Sequence, residues 1–293
     1  GRWGKGGKRP TIITFHHEGV GALNVINQTT GEVDRTAAPY LHELQQQALT
    51  FSRMYTTFPS TLRSFIPMLT GGYTGTRGDI IGQAAHEFSN PNVVSMLKGL
   101  GYKTAFIASG TLGFEGLDKF LTSLKYDYFR DFDDFSPEDQ LKYKLSGWGA
   151  RDDATVREAL AWVDRERASG ETAPLFISVF PCNTHHPYKV PDEFAALHPA
   201  SDYIYPGEER NKAAEQRALY RRTIHFVDHC LQQLVEGLRE RGLVEEALVL
   251  VTGDHGEAFG DLHPTNRLHK NELYEENLAV FSLLAPFLAS TPS

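Results

Sequence analysis

Residues 249–257 read VLVTGDHGE. The run is apolar to Val251 and then delivers Asp254, His255 and Glu257 around two glycines, Gly253 and Gly256. A short apolar run that ends at glycine reads as a buried strand, here over 247–252. In a parallel sheet such a strand ends where ligand chemistry gathers. A carboxylate beside a neutral imidazole at that end is half of a metal site.

Outward from this stretch, helix and strand alternate. TIITFH (11–16) is a β-branched strand opening into Gly19 and Gly21. Leu41, Leu44, Ala48 and Phe51 recur at helical spacing, so a helix is expected over 37–54. A helix over 91–100 precedes a strand at 104–108, and a helix over 152–168 precedes a strand at 175–180. The long helix 213–241, closed by Gly242, leads into the 247–252 strand, and a last strand covers 279–285. Segments 110–150 and 189–212 show no clear period and are expected as loops over one sheet edge. The fold class that follows is α/β, a mostly parallel central sheet with helices on both faces. The basic, glycine-rich residues 1–10 read as a linker or clipped segment. Residues 11–293 read as a single domain.

Composition narrows the function. The 293-residue chain carries a net charge of -8, with 41% hydrophobic and 23% charged residues. No run approaches the roughly 20 apolar residues that span a bilayer. The acidic balance argues against nucleic acid as partner, and an anionic substrate would need local positive charge, such as a metal. Cys182 and Cys230 are too few for a disulfide framework.

Two further stretches carry chemistry. His16-His17-Glu18-Gly19 ends the first strand, with Glu18 a metal-ligand candidate and His17 a second one, although either histidine can simply fill a core position. TTFPSTLRSFIPMLTGGY (56–73) places hydroxyl residues before a helical apolar run. Thr61 or Ser64 reads there either as a helix N-cap or as a nucleophile beside amides that favour anionic oxygens.

On these residues the chain resembles the sulfatase and lipoteichoic acid synthase branch of the alkaline phosphatase superfamily, from about residue 11 to 285. Thr61 stands nine residues before the Thr of Leu69-Thr70-Gly71, the nucleophile position of that family. VTGDHGEAFGD resembles its D-H-G-E metal motif, HKNELYEENLAV its H-G-x-x-L-Y-E-E segment with His269 in the site, and NTHHPYKVP its H-x-P-Y segment with His185. SGWGARDD resembles a W-G-x-x-D stretch, so Trp148 and Arg151 are expected to line the substrate pocket; ordinary packing is the alternative for Trp148. Thr61-Leu62-Arg63-Ser64-Phe65 lacks the C/S-x-P-S-R pattern of formylglycine sulfatases.

The resemblance implies a metal-dependent phosphotransferase or phosphodiesterase working through a covalent Thr61 intermediate. A sulfuric ester hydrolase and an inactive binding module of the same fold are the alternatives. It assigns Glu18, Thr61, Asp254, His255 and His17 to the metal, Thr61, His185 and His269 to catalysis, and Arg63, Trp148, Arg151 and Lys270 to substrate. The cofactor is one divalent cation, zinc or manganese ahead of calcium or magnesium. The expected partner is an anionic phosphate or sulfate ester, lipid-linked esters included, and no nucleic acid. Location is expected to be extracytoplasmic, with membrane contact only through a segment absent from this chain and a C-terminal portion lacking if the chain is clipped. His42, His86, His198, His225, His229 and His263 match no motif and are expected as surface or core histidines. Asp228, inside a helix, is expected to be solvated or capping.

Overall fold

The computed structural model describes residues 9–73, 91–170, 172–209, 211–260, 262–269 and 272–288. One sheet is built from β1 (Ile12–His17), β2 (Leu49–Tyr55), β3 (Lys103–Ala108), β4 (Tyr128–Arg130), β5 (Leu175–Phe180), β6 (Glu246–Gly253) and β7 (Ala279–Leu288). Their spatial order is β2-β7-β6-β1-β5-β3-β4. The strands β6, β1, β5, β3 and β4 pair in parallel, and β7 runs antiparallel to both β6 and β2.

Period-two alternation sends the strands' side chains into two cores. Ile177 and Val179 face one side, where Trp162 of α5 (Asp152–Ala168), Leu231 and Leu234 of α7 (Lys212–Glu240) and Leu41 of α1 (Pro39–Gln45) pack. Phe176 and Phe180 face the other, against Phe65 of α2 (Thr61–Thr70), Val94 of α3 (Val93–Gly99) and Phe120 of α4 (Leu117–Ser123). Both faces are covered, which is why β5 is buried at every residue.

Two expectations change. The helix expected over 37–54 is α1 followed by the edge strand β2. Leu41 and Leu44 are buried as the spacing requires, but Leu49, Phe51, Met54 and Tyr55 are exposed. The aromatic and β-branched content of this stretch suits a strand once β7 offers its antiparallel edge. The segment 110–150, expected as loop, supplies β4, α4, a short helix Pro137–Tyr143 and a hairpin from Lys144 to Ala150. Segment 189–212 holds α6 (Asp192–Leu197) and a 3-10 turn. These elements are too short to show a period.

The register of β1 on β6 places the site. His16 pairs with Thr252 and His17 with Gly253, so Glu18 and Asp254 emerge side by side at adjacent strand tips. Gly253 makes this approach feasible: a Cβ there would lie 2.0 Å from the Val20 carbonyl oxygen. Asp228 of α7 caps α1 from below, accepting the Tyr40 and Leu41 N–H groups at 2.7 and 2.8 Å.

Candidate active site

The turn after β1 is held by two hydroxyls. Thr184 Oγ1 donates to the Glu18 carbonyl at 2.5 Å and Tyr220 donates to the Gly19 carbonyl at 2.6 Å. Across from it, Asp254 Oδ1 accepts the Gly19 N–H at 2.8 Å and the His255 N–H at 2.7 Å. Burial lifts the Asp254 pKa to about 6, against the lowering effect of those two N–H groups.

His255 defines the chemistry by its tautomer. Its Nδ1 lies 3.1 Å from the Gly256 carbonyl, an acceptor only, so Nδ1 donates there and Nε2 is the nitrogen turned inward. That nitrogen lies 3.8 Å from Glu18 Oε1, 3.6 Å from Asp254 Oδ2 and 3.4 Å from Thr61 Oγ1. Carboxylate oxygens and an imidazole nitrogen converging on one point are the donors a divalent cation takes. His269 completes the set, since donor atoms of Glu18, His255 and His269 all lie within 4.8 Å of one another. Members of this fold bind a divalent cation, and oxygen and imidazole donors at this spacing fit one.

Thr61 is the first residue of α2, after the extended Ser60. The Ser60 hydroxyl makes no cap and donates instead to Glu115 Oε2 at 3.0 Å. The first amides of a helix have no partner within it, so they remain available to anionic oxygens beside the Thr61 hydroxyl. Ser64 has a different duty: it is buried and its hydroxyl donates to the Phe58 carbonyl at 2.9 Å, closing the loop before the helix. Leu69-Thr70-Gly71 ends α2, with Gly71 in the left-handed conformation.

A cleft opens over this set, walled by Phe114, Glu115, Trp148, His185 and Leu112. Trp148 stands edge-on to Phe114 and its ring lies 4.2 Å from that of His185. His185 Nδ1 donates to the His186 carbonyl at 2.9 Å, and its ring lines the cleft.

Several assigned residues lie elsewhere. His17 is buried with its ring against Phe15 and Phe281, and burial pushes its pKa down to about 3. Strand alternation points it away from the donor set that Glu18 joins. Arg63 does not line the cleft; its guanidinium lies over the Phe58 ring, 4.1 Å from the centroid. Arg151 is drawn off by Asp153 and Glu193, both at 2.6 Å, and lines a different groove. Lys270 and His86 lie outside the described residues. Of the unmatched histidines, His263 stacks on Tyr274 and His225 bonds the Tyr203 hydroxyl.

Three residues were missed. Glu257 Oε2 accepts from His269 Nδ1 at 2.8 Å and its Oε1 accepts from Tyr188 at 3.3 Å, which turns the His269 Nε2 toward Glu18 and His255. Its signal was present as the last residue of VLVTGDHGE. Asp152 accepts from Ser109 at 2.5 Å and from the Cys182 and Asn183 amides at 2.9 and 3.1 Å, fixing the segment that leads to His185. Burial raises its pKa to about 7. Glu115 lines the cleft and had no sequence signal.

A mostly parallel sheet with a carboxylate–imidazole cluster and a hydroxyl at its strand ends defines the alkaline-phosphatase-like class of hydrolases and transferases. The sulfatase profile matches residues 18–283, and the chain belongs to the sulfatase family, a family of enzymes. Phosphoglycerol transferase I of Xanthomonas euvesicatoria pv. vesicatoria is 24% identical over 185 residues, covering 63% of this chain and 24% of that protein. Lipoteichoic acid synthase of Staphylococcus saprophyticus is 21% identical over 154 residues, covering 53% of this chain and 20% of that protein. The chain thus matches a quarter or less of these relatives' length.

Among solved structures, the lipoteichoic acid synthase LtaP from Listeria monocytogenes superposes with a TM-score of 0.70 at 15% identity, covering 97% of this chain and 66% of that one. The C-terminal periplasmic domain of EcEptC from Escherichia coli, in complex with Zn, gives 0.69 at 18% identity, covering 96% and 74%. These two likenesses show the fold.

Proposed function

We propose that the chain is a metal-dependent phosphotransferase or phosphodiesterase that passes a phospho group through Thr61. The observation that carries this reading is the Thr61 hydroxyl at a helix N-terminus, 3.4 Å from the His255 Nε2 of the donor set. Glu18, His255 and His269 would hold the cation, with Asp254 beside them, and zinc or manganese suits these donors. When bound, the cation supplies Lewis acidity toward the hydroxyl and the phosphoryl oxygens.

The chain's own residues do the rest. Thr61 Oγ1 attacks phosphorus in line, the Oγ1–P bond forms as the bond to the leaving alcohol breaks, and the hydroxyl proton passes to solvent. The α2 amides receive charge on the phosphoryl oxygens. His185 Nε2 gives a proton to the departing alkoxide and takes one back from the acceptor, a hydroxyl or water. Attack by that acceptor breaks Oγ1–P and restores Thr61 with a solvent proton.

One relative is named a phosphoglycerol transferase and another a lipoteichoic acid synthase, which supports a polyol or lipid-linked phosphate ester as substrate. A periplasmic neighbour supports an extracytoplasmic location. No helix among the described residues is long and apolar enough to cross a membrane. The test is intact-mass analysis after incubation with a phosphodiester: an adduct on Thr61 is expected, and turnover by Thr61→Ala at wild-type metal content would overturn the assignment. Turnover of an aryl sulfate in preference to bis-(p-nitrophenyl) phosphate would favour the sulfuric ester hydrolase instead.

A further inference from the structure

The segment from His185 to Tyr188 has two faces. His185 lines the catalytic cleft, while Pro187 and Tyr188 line a second groove. Its charge is unlike the rest of a chain with net charge -8. Lys142, Lys144, Arg151, Lys189 and Arg222 line it, against Asp192 and Glu193. Arg151 and Glu193 neutralise each other at 2.6 Å, leaving four cations around one carboxylate.

Among the described residues no ion pair engages Lys144, Lys189 or Arg222. Arg222 Nε is buried without a hydrogen-bond partner there, and burial holds its pKa below the ordinary value. A guanidinium half withdrawn from water without a carboxylate is the arrangement an incoming oxyanion satisfies. Tyr143, Tyr188, Val190 and Leu219 give the groove an apolar lining that suits the carbon skeleton of an ester.

The two regions are mechanically joined. Tyr188 holds a left-handed backbone conformation at φ 58 and sends its hydroxyl to Glu257, the residue that orients His269. One wall therefore serves both the groove and the donor set.

We propose that this groove is a second anion-binding subsite, taking a phosphate ester group that neighbours the one reacting at Thr61 on a substrate or product carrying several. The subsite rests on the phospho-transfer reading for its ligand's place in the reaction, but its affinity for phosphate oxygens can be measured without turnover. Lys144 and Lys189 are exposed, so Lys144→Glu/Lys189→Glu should fold.

Two readouts decide the matter. In backbone NMR with sodium tripolyphosphate as probe, amides of residues 142–145 and 188–190 shift in the wild type and lose that response in the double variant. Groove amides that stay still in the wild type, or shift equally in the variant, overturn the proposal. In kinetics, the preference for a three-phosphate polyol ester over bis-(p-nitrophenyl) phosphate falls about tenfold through KM. An unchanged preference overturns it. If the wild type turns over neither ester, the phospho-transfer reading fails and the NMR result alone decides the groove. Phosphatidylglycerol vesicles retained by the wild type and released by the variant, with no tripolyphosphate response at the groove, assign it to a lipid surface and overturn the proposal.

Discussion

The catalytic cleft and the basic groove share one wall and have opposite chemistry. The cleft gathers Glu18, Glu115, two imidazoles and the hydroxyls of Thr61 and Thr111, with no lysine or arginine in its lining among the described residues. The groove gathers lysines and arginines around a single unneutralised carboxylate. On the proposed reading, a cleft of acids repels a phosphate ester until its cation is bound, whereas the groove attracts one at any metal load. Reaction and attraction are therefore carried by different residues, and the two can be broken separately.

Thr61→Ala should have the largest effect, a loss of roughly 10³-fold or more in kcat with metal content intact. Equal loss from the groove variant would erase the distinction between the regions. Glu257→Gln comes next: it weakens the hold on His269, and metal affinity measured by competition with a chelator should fall about 10- to 100-fold. Trp148→Ala, on the cleft side of the wall, should raise KM several-fold with kcat little changed, as expected of a group that binds ground state and transition state alike.

The smallest effect is on stability. Asp152 and Asp228 are buried and their pKa values are raised from 3.8 to about 7 by desolvation. From about pH 4 to 7 the unfolded chain ionises both while the fold keeps them protonated, so stability falls across that window and levels off above it. Below it the two contribute no slope. Asp228→Asn should make a plot of Tm against pH shallower between 4 and 7, and an unchanged slope would contradict the assignment.

Strands β1, β3 and β6 were legible as β-branched or apolar runs closed by glycine and β5 and β7 as apolar runs, whereas β2 and β4 were not; the donor tips were legible because chemistry-bearing residues follow β1 and β6 directly. The reading over 37–54 failed because Phe51 falls at helical spacing by coincidence, while the edge that claims it lies more than two hundred residues away on β7. Arg63 and Arg151 matched a motif or a plausible position, yet where a guanidinium settles depends on competition: Phe58 takes one, Asp153 and Glu193 the other. Glu257 stood in the stretch that decided the fold and went unassigned, since its duty appears only once His269 is folded against it. The groove had no linear signature, being assembled from 142–151, 187–195 and α7.

The segment 110–150 supplies Phe114, Glu115 and Trp148 to the cleft but neither the proposed nucleophile nor a proposed metal donor: Thr61 starts α2, Glu18 and His255 follow strand tips, and His269 lies beyond them. Selectivity and reactivity are thus written on different stretches of chain, like interchangeable jaws on a fixed vice. Grafting that one segment from a relative should carry over a taste for new leaving groups while the chemistry beneath continues as before.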